Sequence, residues 1–282
     1  MSEKQHKAEH RSRPDSPEFR AFIAKGWADH DESLPAQTEA AQYAAARREA
    51  VSAAFPGERV VVPAGGLKVR SNDTDYVFRP HTAFAHLTGL GSDREPDAVL
   101  VLDPLEEGGH EAVLYFRPLA GRDTEEFFAD SRVGEFWVGR RPTLAGMSAE
   151  LGVATRDLSE LPDAVAKDVG AVTVRVVREA DAEVAAVVET ARSQSAEHSA
   201  EAASEADLEL SRFLSTLRLV KDEWEVDQMQ LACDATAEAF DAVVAELPEA
   251  VRRGRGERWV EGVFGLHARH AGNGVGYDSI CA

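Results

Sequence analysis

The spacing of apolar residues changes period along this chain, and each change marks an element. A polar, charged lead-in runs to about residue 17, and a short helix is expected near Pro17 to Trp27. From Thr38 to Phe55 the chain is rich in Ala, Glu and Arg, with Thr38 placed as an N-cap and Pro56-Gly57 as a stop, which predicts a helix. The pattern then shortens to β-branched or apolar runs bounded by Gly, Pro and Asp: Arg59 to Pro63, Ala98 to Leu102, Glu111 to Phe116 and Thr173 to Val177. Helical segments near Thr124 to Phe128, Thr143 to Leu151 and Leu158 to Lys167 interleave with these strands, as in an α/β layer fold.

From Ser193 to Ala206 large apolar residues nearly vanish, so this stretch is the expected linker closing the first domain. Three helices follow. The first, about Ala206 to Leu217, carries Leu210, Phe213, Leu214 and Leu217 on one face. The second, Asp222 to Leu247, spaces Val226, Met229, Cys233, Thr236, Phe240, Val243 and Leu247 by threes and fours, with Asp222 and Glu225 set as a capping box and Pro248 as its end. The third, about Glu257 to Ala271, has Val260, Val263, Phe264, His267, Ala268 and Ala271 on one side and Gly272 as its stop. Tyr277 to Cys281 then opens an extended apolar segment with nothing left to pair it, so each of the three helices is expected to face a sheet that is not encoded, and the chain reads as an N-terminal fragment. No internal repeat is found.

Composition narrows the function classes. With 44% apolar residues over 282 positions the chain can build a core. Its net charge of -19 argues against nucleic acid and anionic membranes as partners. The polar start has neither a signal peptide nor a membrane span, and the expected location is the cytoplasm. Two cysteines fit a reducing compartment; Cys233 falls on the apolar helix face and is expected to be inert core, whereas Cys281 cannot be judged.

Catalytic patterns mostly fail. His110-Glu111 begins a zinc-protease pattern, but Leu114 stands where the second His belongs and the segment reads as a strand. Gly272, Gly274 and Gly276 follow a helix rather than a strand, so they mark a turn and no phosphate loop. His267 and His270 lack facing carboxylates or thiolates, which leaves His267 as a core or interface histidine. No Gly-x-Ser-x-Gly elbow occurs, and Asn72-Asp73-Thr74 means nothing as a glycosylation acceptor without export. Asp73, Asp75, Glu125 and Glu126 are carboxylates near aromatic residues, read as solvated or arginine-paired before catalytic.

A resemblance goes further than composition. Asn72 to Arg79, Phe84 with Leu87-Thr88-Gly89-Leu90, and Glu95 to Leu100 resemble the N-terminal domain of aminopeptidase P, the Xaa-Pro aminopeptidases. Glu135 to Arg141 is similar to that family's Trp-x-Gly-Arg-Arg type segment, Leu217 to Glu225 to the segment opening its catalytic domain, and Ala268 to Ile280 to the strand leading into its active site. Residues 1–37 read from their composition as a polar, partly disordered extension, and the resemblance, which covers 38–282, implies a ribonuclease-H-like α/β domain of the creatinase type at 38–203 and the truncated start of a pita-bread α+β peptidase domain at 204–282. It implies removal of the first residue from peptides with proline second, by two manganese ions held on two Asp, one His and two Glu.

All five ligands would lie beyond residue 282, so no metal or catalytic residue is assigned, and the fragment itself is expected to be inactive. Tyr277 matches a tyrosine the family places near the substrate pocket and is the one implied substrate-binding residue; an aromatic capping a new sheet is the alternative. The family sometimes closes a neighbouring subunit's site with an aromatic residue next to the Phe84 position, where this chain has Ala85. Proline-containing peptides are the implied partners and a homo-oligomer the implied state of the complete protein. Prolidase or creatinase chemistry, and a non-catalytic protein-binding relative, are the alternatives on the same fold.

Overall fold

The computed structural model describes residues 16–72, 74–195 and 199–281. The lead-in before residue 16, Asp73, and residues 196–198 of the expected linker lie outside them. Helix α1 (Pro17–Ile23) begins as its sequence dictates, with Pro at its first position and the Ser16 hydroxyl accepting from the Phe19 N–H at 3.2 Å. Helix α2 (Glu39–Ala54) follows, then strand β1 (Arg59–Pro63), buried at every position because helices cover both its faces. A small hairpin, β2 (Val69–Ser71) and β3 (Thr74–Asp75), leads to helix α3 (Thr82–Thr88). That helix ends on Gly89 at φ 79°, where a Cβ would meet the Cβ of Ala40 at 2.9 Å, so glycine is required twice over.

Strands β4 (Val99–Pro104) and β5 (His110–Phe116) form an antiparallel pair, and two four-residue helices follow, α4 (Glu126–Ala129) and α5 (Glu135–Val138). Next come α6 (Leu144–Leu151), β6 (Ala154–Asp157), a 3-10 turn over Leu158–Glu160, and α7 (Leu161–Ala166). Strand β7 (Val174–Val176) and helices α8 (Ala182–Arg192), α9 (Ala200–Leu217), α10 (Glu223–Arg253) and α11 (Gly256–Ala271) complete the order. The five-stranded sheet runs β6-β5-β4-β1-β7, with β4 antiparallel to both neighbours and the two edge strands parallel to theirs.

Strand alternation divides the core between the two faces. Val60, Val62, Leu100, Leu102, Leu114 and Phe116 meet α2, α3, α6 and α9 on one side. Val61, Val99, Val101, Val113 and Tyr115 meet α7 and α8 on the other.

Helix α9 corrects one expectation. Its apolar face does not wait for an absent sheet: Leu210 and Leu214 are buried in the first domain's core, and the Phe213 ring stands 5.3 Å from Phe55, edge to face. The pattern announced a buried stripe correctly, but a stripe does not say which neighbour covers it. Asp207 fixes the helix in place. Its buried carboxylate accepts from the Val176 N–H on edge strand β7 at 2.8 Å, from Arg192 at 2.6 and 2.9 Å, and from Arg178. An outward-facing edge N–H is thereby satisfied by a side chain rather than by another strand. Of the expected linker, Ser193 caps α8, Ser199 caps α9, and the last seven residues of the stretch are helix.

Two smaller corrections concern the later helices. Helix α10 runs through Pro248 to Arg253, where Arg252 and Arg253 pair with Glu249 across the final turn. Cys233 is exposed and is not part of a core. Residues 277–281 make no strand pairing among the described residues, which agrees with a segment that has nothing left to pair it.

Candidate functional site

Tyr277 follows α11 on a segment set by a tight turn. The Gly272 N–H closes the helix onto the Ala268 carbonyl at 3.0 Å, and Arg269 reaches over to the Asn273 carbonyl at 2.5 Å. Beyond it Tyr277 is 84% exposed and Ile280 91%, so the phenol is presented to solvent on an irregular stretch. His267 is half-buried and His270 exposed. Among the described residues, no group of three or more His, Cys, Asp or Glu side chains is placed to hold a metal ion.

What carries Tyr277 is the hairpin of α10 and α11. Its seam buries Ala239, Val243 and Ala250, sets the Phe240 and Phe264 rings 5.4 Å apart, and joins the Trp259 indole N–H to Glu246 at 3.0 Å. The outer side of the hairpin leaves Val226, Met229, Val244, Leu247, Val251 and Leu266 exposed.

A charged joint holds the start of the hairpin to the first domain, and on α11 Arg269 lies 4.0 Å from Asp93. Arg47 of α2 is only 6% exposed, and its guanidinium spans three elements. It donates to the His86 carbonyl of α3 at 2.9 Å and to Asp222, the N-cap of α10, at 2.8 Å; Glu225 lies 3.6 Å away, and the ring of Trp224 lies beneath at 5.6 Å. Asp222 and Glu225 complete the capping box, with bonds of 3.0 and 3.2 Å to each other's backbone N–H. Burial opposes ionisation of Asp222, yet the Glu225 N–H and Arg47 hold its carboxyl below the usual aspartate range. The His86 ring stands 3.7 Å from Glu225, and burial, then Arg47 and Arg218, push its pKa down to about 4. The capping box was visible in sequence; Arg47 was not, because it is one arginine among several in an Ala, Glu and Arg helix and its partner lies 175 positions on.

Elsewhere in the sheet domain, residues 30–35 and 140–150 line a cleft of about 700 Å³. Its arginines are already engaged. Arg94 clasps Glu150 with two bonds of 2.9 Å, Arg140 donates to the Asp31 carbonyl, and Arg141 lies 3.8 Å from Glu95, whose carboxyl is pushed up by burial. The carboxylates singled out in sequence are paired likewise: Asp75 with Arg132 at 2.8 Å, Glu126 with Arg141 at 3.5 Å, and Glu125 with Arg20 at 3.7 Å. Phe84 is fully buried and Ala85 half-buried on α3, so no aromatic side chain projects from the position after Phe84.

Comparison with known proteins bears on what this arrangement serves. Residues 44–177 match the family model of the aminopeptidase P N-terminal domain. Xaa-Pro aminopeptidase 2 of Streptomyces coelicolor is 44% identical over 267 residues, covering 95% of this chain and 53% of that protein. Xaa-Pro aminopeptidase 1 of the same organism is 44% identical over 270 residues, covering 95% of this chain and 50% of that protein. The chain thus spans about half the length of the curated relatives it matches. Among solved structures, the low-pH form of aminopeptidase P from E. coli superposes with a TM-score of 0.63 at 22% identity, over 82% of this chain and 50% of that one. Proline aminopeptidase P II from Yersinia pestis gives 0.62 at 20% identity, with 82% and 50% covered.

Proposed function

Because the chain belongs to the aminopeptidase P family, we propose that the whole protein is an Xaa-Pro aminopeptidase, removing the first residue from peptides with proline in second position. One observation carries the reading: identity to Xaa-Pro aminopeptidases extends across the sheet domain and on through α10 and α11, rather than resting on one shared motif. In this reading the whole protein would hold two manganese ions, which would supply Lewis-acid activation of water and of the scissile carbonyl. The chain's own part is structural and positional. The sheet domain anchors α10 through Arg47, α10 carries α11, and in this reading Tyr277, exposed beyond α11, would contact the peptide. We further propose a homo-oligomer acting in the cytoplasm on proline-containing peptides; both cysteines are free thiols, and no helix among the described residues is long and apolar enough to cross a membrane.

The test is release of the first residue from an Xaa-Pro-containing tripeptide. The whole protein loaded with manganese should release it and lose that activity on chelation, while these 282 residues alone should give background with manganese, cobalt or zinc. Release proportional to the purified 282-residue chain would overturn the assignment of the chemistry to residues outside it. A whole protein that binds manganese yet cleaves only dipeptides, or nothing, would overturn the substrate class.

A further inference from the structure

Helices α1, α4 and α5 and the segment after α1 carry a row of aromatic rings at the surface. Phe19 stands 5.5 Å from Phe128, and Trp27 stands 5.5 Å from Phe127; Phe136 meets Trp27 at 6.1 Å and Trp137 at 5.8 Å, all edge to face. Phe127, 1% exposed, roots the row in the domain. The outer members stay open: Trp27 is 45% exposed, Phe136 46%, Trp137 58% and Val138 51%, and Phe22, three positions from Phe19 on α1, is 73% exposed. Because the rings already hold one another in place, covering them costs little side-chain entropy.

The chemistry of the row limits what can cover it. Both indole N–H groups are used internally, Trp27 on the Ile23 carbonyl at 2.7 Å and Trp137 on the Phe128 carbonyl at 2.8 Å. The exposed ring faces therefore take apolar cover, and no indole donor is left for a peptide carbonyl or a sugar hydroxyl. An anionic lipid surface is opposed by the net charge of -19. Charge favours a second copy of the chain. Residues 18–32 and 117–141, which build the row and its rim, hold seven of the 31 Lys and Arg and nine of the 50 Asp and Glu, so the two signs nearly balance here while the remainder of the chain carries the acidic excess. Two copies can meet on this face with little repulsion, and its rim offers both signs, with Arg20, Arg132 and Arg140 exposed alongside Glu18, Asp123 and Glu125.

We propose that this aromatic face is a self-association surface, on which two copies of the chain pair about a two-fold axis with Trp137 near its centre. The composition is that of an interface core, where Trp, Phe and Arg concentrate: the Arg122 guanidinium lies over the Trp27 ring at 5.7 Å and is itself neutralised by Glu135 at 2.9 Å. The pairing gives the homo-oligomer of the proposed function its contact surface and depends on no peptidase chemistry.

Sedimentation equilibrium of the full chain reads the pairing directly. At tens of micromolar the wild type should run as a dimer that dissociates on dilution, and Trp137→Glu should weaken it on the order of 100-fold, because a two-fold interface loses the ring twice. Val138→Glu, which removes no hydrogen bond, should weaken it too, while Leu105→Glu, at the half-exposed turn between β4 and β5, should not. A chain that stays monomeric, an association unchanged by Trp137→Glu and Val138→Glu, or an equal loss in Leu105→Glu would overturn the proposal. If neither aromatic-face variant folds, amide exchange of the wild type decides: protection of residues 135–138 should rise with protein concentration, and constant protection there refutes the pairing. None of these readouts uses peptidase activity, so a failed interface and a failed substrate class are told apart.

Discussion

At the scale of single residues, buried charge does most of the specifying. Asp207 has 4% side-chain exposure and neutralises Arg192, itself 7% exposed, while satisfying an edge-strand N–H. Removing one member of such a buried pair leaves the other desolvated and unpaired, which costs about 3–5 kcal/mol. Asp207→Ala should therefore lower the free energy of unfolding of the sheet domain by about that amount in a denaturant titration. Glu209 provides the contrast. It pairs with Arg175 at 2.8 Å, but its side chain is 66% exposed, so Glu209→Ala should cost below about 1 kcal/mol in the same experiment. A similar loss for both substitutions would show that burial does not decide their weight. Neither pairing was legible in sequence, where each residue is one charge among 81 and the partners stand 15 and 34 positions away.

At the scale of elements, what could be read depended on whether the signal was local. Strands β1, β4, β5 and β7 were legible because a strand buried on both faces is a short apolar run between turn residues. The cap of α10 was legible because its partners are three residues apart. Helix α3 was missed: seven residues, Thr82–Thr88, carry too few turns to show a period, and threonine at both ends obscures it. Its stop depends on Ala40 packed against Gly89, which no local pattern announces. Cys233 was misplaced, and α9 misattributed, because periodicity gives the existence of an apolar face and not its neighbour. This makes a test. Leu210 is fully buried on α9, so Leu210→Ala should destabilise the sheet domain by about 2–5 kcal/mol, whereas Val251→Ala on α10, 84% exposed, should stay within about 0.5 kcal/mol. A negligible effect at Leu210 would detach α9 from the first core.

At the scale of the whole molecule, stability is distributed unevenly, and the chain should come apart in that order. Both faces of the five-stranded sheet are covered, and the covers include α9. The α10–α11 hairpin has one buried seam, a charged joint, and an outer side with six large apolar residues in water. Exposed apolar side chains forgo about 1.5–3 kcal/mol each relative to burial, more than helix propensity can offset. The hairpin should exchange its amides faster than the sheet, or self-associate through that side. Among the described residues, the turn between α9 and α10 is open to proteolysis. Leu219 is 72% exposed and Val220 83%, and they are flanked by Arg218 and Lys221, both substrates for trypsin. Limited trypsin digestion should therefore cut at Arg218 or Lys221 and leave a resistant N-terminal piece that still contains α9, held by Asp207, Leu210 and Leu214. Mass spectrometry of that piece decides the matter. A resistant product ending near Arg192, with α9 released and digested, would show that the first domain closes without α9 and that the packing of Leu210 and Leu214 contributes little to holding it.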